Sequence, residues 1–199
     1  MEASYFTRHP FVKDVLGIIV FIICVVIGTL LINTFVFRSY HVVGPSMETT
    51  LYTGDRLIVD RLAVTWQQLF NKSYLPERGQ VIVFTNPNYS EGVQDRYLVK
   101  RVIGLPGERV VLKDGQFTVY NDENPNGFNP DDDNNGEPGS PTTGEVDTTV
   151  PANEIFVSGD HRTGSFSFDS RNGLGTVPLY DVIGPASFRI FPLDKIRVL

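Results

Sequence analysis

Tyr97-Leu98-Val99-Lys100-Arg101-Val102-Ile103 is the stretch on which the reading of this chain turns. Its aromatic, branched and aliphatic residues suit a pleated, half-buried surface, so a β-strand is expected. Successive side chains of a strand alternate faces. Lys100 therefore shares one face with Leu98 and Val102, and Arg101 shares the other with Val99 and Ile103. Both faces are apolar around a charge. If Leu98 and Val102 face a core, Lys100 is partly desolvated, which disfavours the ammonium and lowers its pKa toward the range where a neutral amine acts as a base. The alternative is an edge strand from which Lys100 reaches solvent along its aliphatic stem.

Similar runs flank this one, separated by Gly, Pro and Asp: Arg56 to Asp60, Gln80 to Phe84, Arg109 to Leu112, Phe117 to Tyr120, Ile155 to Ser158 and Ser187 to Ile190. Their spacing predicts antiparallel β structure. One short helix is expected over Leu62 to Phe70, where Leu62, Trp66 and Leu69 or Phe70 recur at helical spacing. With 199 residues, less a membrane segment and a loop, about 130 remain for one modest core.

The membrane segment is residues 15–37, VLGIIVFIICVVIGTLLINTFVF, which contain no Asp, Glu, Lys or Arg. At about 1.5 Å per residue they reach roughly 35 Å, a little more than a hydrocarbon core of about 30 Å. A cleaved signal peptide has a shorter apolar region that ends at a small-x-small site. Here Arg38, Ser39, Tyr40 and His41 follow, so an uncleaved anchor is expected. Arg8 and Lys13 on one side balance Arg38 and Arg56 on the other, and charge leaves the orientation open. Cys24, the single cysteine, lies inside the segment, so neither a disulfide framework nor a cysteine-rich zinc site is available.

The net charge of -6 is also unevenly placed. Asn121 to Val150 hold eight acids and no Lys or Arg; the 17 basic residues of the whole chain exceed the 15 remaining acids by two. No basic patch argues for nucleic acid. Rich in Asn, Asp, Gly and Pro, the segment at about 121–150 is expected to be a mobile surface loop whose residues within Asn124 to Thr143 are dispensable. Asp131, Asp133, Asn135 and Gly136 match the opening of a calcium loop, but Thr142 stands where a bidentate Glu belongs and no helical pattern flanks the site, so a solvated linker is the reading.

Two further clusters carry polar chemistry. Val43-Gly44-Pro45-Ser46-Met47-Glu48-Thr49-Thr50-Leu51 begins six residues beyond the apolar run, and taken alone Ser46 is a turn serine. Gly159-Asp160-His161-Arg162, followed by Ser165, Ser167, Asp169, Ser170 and Arg171, packs acids, arginines and hydroxyls into a glycine-rich loop, as expected where ion pairs and hydrogen bonds hold a site.

The three clusters, in this order after an N-terminal anchor, resemble the type I signal peptidase family. Gly54-Asp55-Arg56-Leu57-Ile58-Val59 and Pro76-Glu77-Arg78-Gly79-Gln80-Val81-Ile82-Val83-Phe84 match its remaining strand motifs. Any one block is weak; five in register are specific. The resemblance covers all but the acidic loop. It implies a mainly β fold: a transmembrane helix followed by a globular domain of antiparallel sheets, with residues 1–14 a cytoplasmic tail, 15–37 the anchor and 38–199 the catalytic domain. It implies a membrane serine endopeptidase that removes signal peptides from exported preproteins, with the lipid bilayer and the preprotein as partners, transient contact with the export machinery, and no metal or organic cofactor. The domain would face the periplasm, the cell exterior or the thylakoid lumen. By the same resemblance Ser46 is the nucleophile, Lys100 the general base and Ser167 the hydroxyl that bonds to the lysine, while Asp160, Arg162, Asp169 and Arg171, with Arg101, form an ion-pair scaffold. His9, His41 and His161 have no catalytic part.

Several positions depart from the family pattern. Thr49 replaces a usual Pro; Gly44 stands where some members have a Ser that helps the oxyanion hole, leaving more of that role to the Ser46 backbone N–H. His161 replaces a usual Asn, and Gln80 a usual Asp. The loop after Arg162 is two residues longer, so Ser165 and Ser167 both compete to orient the lysine; Ser167 keeps the local Ser-x-Asp-Ser-Arg spacing. Two rivals remain: a self-cleaving Ser-Lys regulator, which should carry a DNA-binding or partner domain in place of the anchor, and a catalytically silent paralogue acting as a membrane-anchored binding protein.

Overall fold

The computed structural model describes residues 10–92, 95–132 and 138–199. It begins with α1 (Pro10–Phe35), a helix of 26 residues and therefore about 39 Å long. The stretch Phe11–Phe35 is long and apolar enough to cross a membrane, and none of it is buried against the rest of the protein. Two of its polar side chains bond back to the helix itself: Thr29 Oγ1 donates to the Val25 carbonyl at 2.8 Å and Asn33 Nδ2 to the Thr29 carbonyl at 3.1 Å. The helix ends two residues earlier than the apolar run, because Phe37 already belongs to a strand.

The remainder is built on antiparallel strands. In chain order these are β1 (Phe37–His41), β2 (Arg56–Asp60), β3 (Val81–Thr85), β4 (Tyr97–Gly104), β5 (Arg109–Lys113), β6 (Gln116–Tyr120), β7 (Val146–Thr149), β8 (Glu154–Ser158), β9 (Val177–Pro178), β10 (Val182–Phe191) and β11 (Arg197–Val198), with α2 (Leu62–Leu69) between β2 and β3. One sheet runs β1-β2-β10-β3-β4-β8-β9, with β11 added beside β10; a smaller one runs β6-β5-β7. β10 pairs with β2 and β3, and register shifts bend it between them. Gly184 allows the crossing, since a Cβ there would lie 2.1 Å from the Asp60 carbonyl oxygen.

β4 holds the pivotal position. Val102 enters the core formed by Ile82, Phe84, Ile155, Val157 and Val177, with Leu98 packed against it, while Ile103 on the opposite face joins Val110, Leu112, Phe117 and Phe156. A third cluster, Val42, Met47, Leu51, Leu57, Val81 and Ala186, lies under the segment that follows β1.

The acidic segment departs from the expected mobile loop. Phe128 makes a β-bridge to Val119, and Val146–Thr149 form a strand paired with β5. Asp131 and Thr142 are buried. The reason is charge: the Asp131 carboxylate takes a bidentate pair from the buried Arg162 guanidinium at 2.6 and 2.7 Å, and a buried guanidinium needs such a partner. Asp131 is thus committed to an arginine, whereas Asp133, Asn135 and Gly136 lie outside the described residues.

Candidate active site

Ser46 sits at the head of a turn that is nailed down from below. Met47 and Leu51 are fully buried in the third cluster, each such burial being worth about 1.5 to 3 kcal/mol. The Glu48 N–H donates to the Pro45 carbonyl at 3.0 Å, and the Leu51 N–H to the Met47 carbonyl at 2.7 Å. Gly44, at φ +91°, lets the chain turn into this segment, and its N–H donates to Thr53 Oγ1 at 2.9 Å. The Glu48–Thr49 peptide bond is cis.

Lys100 reaches the same place from β4. Its Nζ lies 2.8 Å from Ser46 Oγ and 2.8 Å from the Val99 carbonyl oxygen, and the residue is only 2% exposed. Burial lowers its pKa from 10.5 to about 8, against the opposing pull of the Asp169 and Asp160 carboxylates and with help from Arg171. Each of those acids is itself paired with an arginine. Asp160 is held bidentate by Arg101 at 2.8 and 2.6 Å; Asp169 pairs with Arg171 at 2.7 Å.

The loop from Gly159 to Arg171 closes the site. The Gly159 N–H donates to Asp169 Oδ2 at 2.8 Å, and the Gly159 carbonyl accepts from Arg162 Nε at 3.0 Å. Arg171 Nη1 donates to the Arg162 carbonyl at 2.9 Å. The His161 N–H donates to the Ser46 carbonyl at 3.1 Å. Arg101 also reaches the Gly79 carbonyl at 2.6 Å, which ties the scaffold to the start of β3. Arg162 pairs not with the acids of its own loop but with Asp131, a partner its own cluster does not contain.

Ser167 is placed differently from expectation. It is fully buried beside Gly159, whereas Ser165 is exposed. Yet Ser167 Oγ makes no hydrogen bond to Lys100, and has no hydrogen-bond partner among the described residues. The lysine donates instead to Val99, its own neighbour in the chain. In the lengthened loop the Gly164 N–H donates to Thr143 Oγ1 at 3.0 Å, and exposed Phe166 lies over the His161 ring with centroids 4.6 Å apart and lines the same cleft as Ser46 and Lys100.

Ser46 and Lys100 share a cleft of about 400 Å³, walled by Tyr40, Val42, Val83, Leu98 and Phe168 among others, with Asp95 and Arg96 also on its lining. Its lining is more apolar than polar. Sequence reasoning missed Gly159, the His161 backbone contact and Asp131. Only the Gly-Asp motif carried any signal of the first.

A buried amine of lowered pKa touching a serine hydroxyl is placed to take that hydroxyl's proton. Comparisons with known proteins place the chain in a family. Residues 12–191 match the family described as signal peptidase, peptidase S26. Signal peptidase I of Bacillus licheniformis is 33% identical over 180 residues, covering 88% of this chain and 88% of that protein. Signal peptidase I U of Bacillus subtilis (strain 168) is 32% identical over 189 residues, covering 94% and 91%. A crystal structure of a signal peptidase I from Enterococcus faecalis V583 is 28% identical, matched over 57% of this chain and 98% of that chain with a TM-score of 0.42. The chain belongs to the signal peptidase family, peptidase S26.

Proposed function

We propose that this chain removes N-terminal signal peptides from exported preproteins as a peptidase anchored in the membrane by α1, with Ser46 as nucleophile and Lys100 as general base. One observation carries this reading: Lys100 Nζ and Ser46 Oγ stand 2.8 Å apart at a desolvated amine whose pKa is lowered to about 8. Neutral Lys100 accepts the hydroxyl proton as Ser46 Oγ attacks the scissile carbonyl carbon. The resulting ammonium then gives that proton to the departing amine, leaving an acyl-enzyme on Ser46. Regenerated as the free amine, Lys100 takes a proton from water as its oxygen attacks the ester carbonyl; the acyl C–Oγ bond then breaks and the ammonium returns that proton to Ser46 Oγ. The Ser46 backbone N–H serves the oxyanion.

Asp160 with Arg101, and Asp169 with Arg171, are positioning residues in this scheme. They hold Gly159 and His161 against the nucleophile's backbone. Ser167 is buried next to Gly159 and makes no bond to Lys100. The substrate peptide enters the cleft as an added strand, its main chain giving affinity and the shallow pockets selecting small side chains.

Detergent-solubilised wild-type, Ser46→Ala and Lys100→Ala proteins incubated with a preprotein test the reading. Processing by the wild type alone is expected; equal processing by all three would remove the dyad, and no processing by any would favour a silent binding protein.

A further inference from the structure

We propose that α2 is an interfacial foot: its apolar stripe enters the lipid surface beside the exit of α1, and so sets the height and tilt of the Ser46–Lys100 cleft above the bilayer. This rests on the reading of α1 as the membrane anchor.

Leu62, Trp66, Leu69 and Phe70 follow one another at intervals that put them on a single helical face. On a water-soluble domain such a stripe turns inward. Here it turns outward, with Leu62 55%, Trp66 61%, Leu69 71% and Phe70 56% exposed, while the residue buried against the domain is Val64. The Trp66 and Phe70 rings meet edge to face with centroids 5.4 Å apart, which makes one aromatic surface. No residue of α2 is charged.

Lipid, rather than a second protein, is indicated by where the helix is tied. The Arg61 N–H donates to the Val36 carbonyl at 2.8 Å, Arg61 Nη1 donates to the Thr34 carbonyl, and Thr65 Oγ1 donates to the Phe35 carbonyl at 3.0 Å. The last carbonyls of a helix lack partners within it, and in a membrane an unpaired carbonyl is costly. The start of α2 therefore caps the end of α1. A capping helix about 12 Å long begins at the depth where the anchor leaves the hydrocarbon, the layer in which tryptophan is enriched. Exposed Phe35 and Phe37 continue the same apolar border.

Trp66 is the single tryptophan of the chain, so its fluorescence reports this stripe alone. The full chain is reconstituted in vesicles of phosphatidylethanolamine and phosphatidylglycerol, and flotation establishes that it is bound. Trp66 emission is expected to shift to shorter wavelength than in the Leu69→Ser/Phe70→Ser variant, to lose intensity to lipids brominated near the headgroup end of the acyl chain, and to be shielded from aqueous iodide. The same variant should cleave a short soluble peptide in detergent like the wild type, but lose activity on a vesicle-embedded preprotein.

A floating chain whose Trp66 is open to iodide and blind to bromolipid overturns the foot and leaves the anchor standing. Shielding from iodide without bromolipid quenching means that a second copy or another protein covers the stripe, and overturns it too. Equal cleavage of the embedded preprotein by variant and wild type overturns the positioning role. A chain that does not float overturns the anchor and the foot together.

Discussion

The Gly159 α-carbon is pressed against the carbonyl of Ser46: a Cβ placed on Gly159 would lie 2.3 Å from that oxygen and 2.2 Å from Ser167 Oγ. Both distances are far inside any tolerated contact, and neither neighbour is the free end of a long side chain. Gly159 cannot retreat, because Asp169 holds its N–H and Arg162 its carbonyl. Gly159→Ala is therefore expected to push the Ser46 turn away from Lys100. A misplacement of about 1 Å costs on the order of 100-fold in rate, so kcat for preprotein cleavage should fall by about that factor while the variant remains folded by circular dichroism. Unchanged kcat would show that the turn yields without disturbing the nucleophile.

The pH dependence of cleavage follows from the same amine. With a pKa lowered to about 8 by burial, Lys100 is mostly protonated at neutral pH and becomes a competent base as pH rises. kcat/KM should climb about tenfold per pH unit on the acid side and level off above about pH 8. At pH 6 it should stand roughly a hundredfold below the plateau. A profile flat from about pH 5 to 9 would exclude Lys100 as the base.

The parts of this arrangement differ in how well they could be read from the sequence, and the difference is physical. β4 was legible because Leu98, Lys100 and Val102 alternate with Val99, Arg101 and Ile103, and a strand converts that alternation directly into two faces. The apolar helix was legible from length and lack of charge, though its end was not: Val36 and Phe37 are as apolar as the helix, and only pairing with β2 draws Phe37 into a strand. β7 was missed because Val-Asp-Thr-Thr has little to bury; it exists by pairing with β5 across more than thirty residues. The stripe Leu62, Trp66, Leu69 and Phe70 announced a helix but not that its apolar side would face outward. Nor does any local pattern near Arg162 name Asp131 as its partner.

Keeping Lys100 buried has a stability cost with a definite sign. Its folded pKa of about 8 lies below the ordinary 10.5, so below about pH 8 both folded and unfolded chains hold the proton and the folded state bears the full desolvation penalty, roughly 3 kcal/mol. Between about pH 8 and 10.5 the unfolded chain binds more protons, and stability rises with pH. Lys100→Met, which fills a similar volume without charge, should be more stable than the wild type at pH 7 by about 1 to 3 kcal/mol and lack the rise above pH 8. Urea denaturation at the two pH values measures both. A destabilised Lys100→Met would mean that the bonds to Ser46 and Val99 outweigh the desolvation.

Asp131 and Arg162 bring the acidic segment into the site. Arg162 is 4% exposed, is neutralised by Asp131, and holds the Gly159 carbonyl through Nε. Asp131→Ala leaves a buried guanidinium without its counter-charge, which costs about 3 to 5 kcal/mol, so a large fall in Tm and in the urea midpoint is expected. Replacing both partners by apolar residues, Asp131→Leu with Arg162→Met, removes the uncompensated charge and should restore much of that stability. Activity should not return with it, because the double variant has lost the Nε contact that holds Gly159 behind Ser46. Deletion of residues 124–143 should likewise impair cleavage, contrary to their reading as a linker. If Asp131→Ala melts with the wild type and cleaves as fast, the pair is dispensable and Gly159 is held by Asp169 alone.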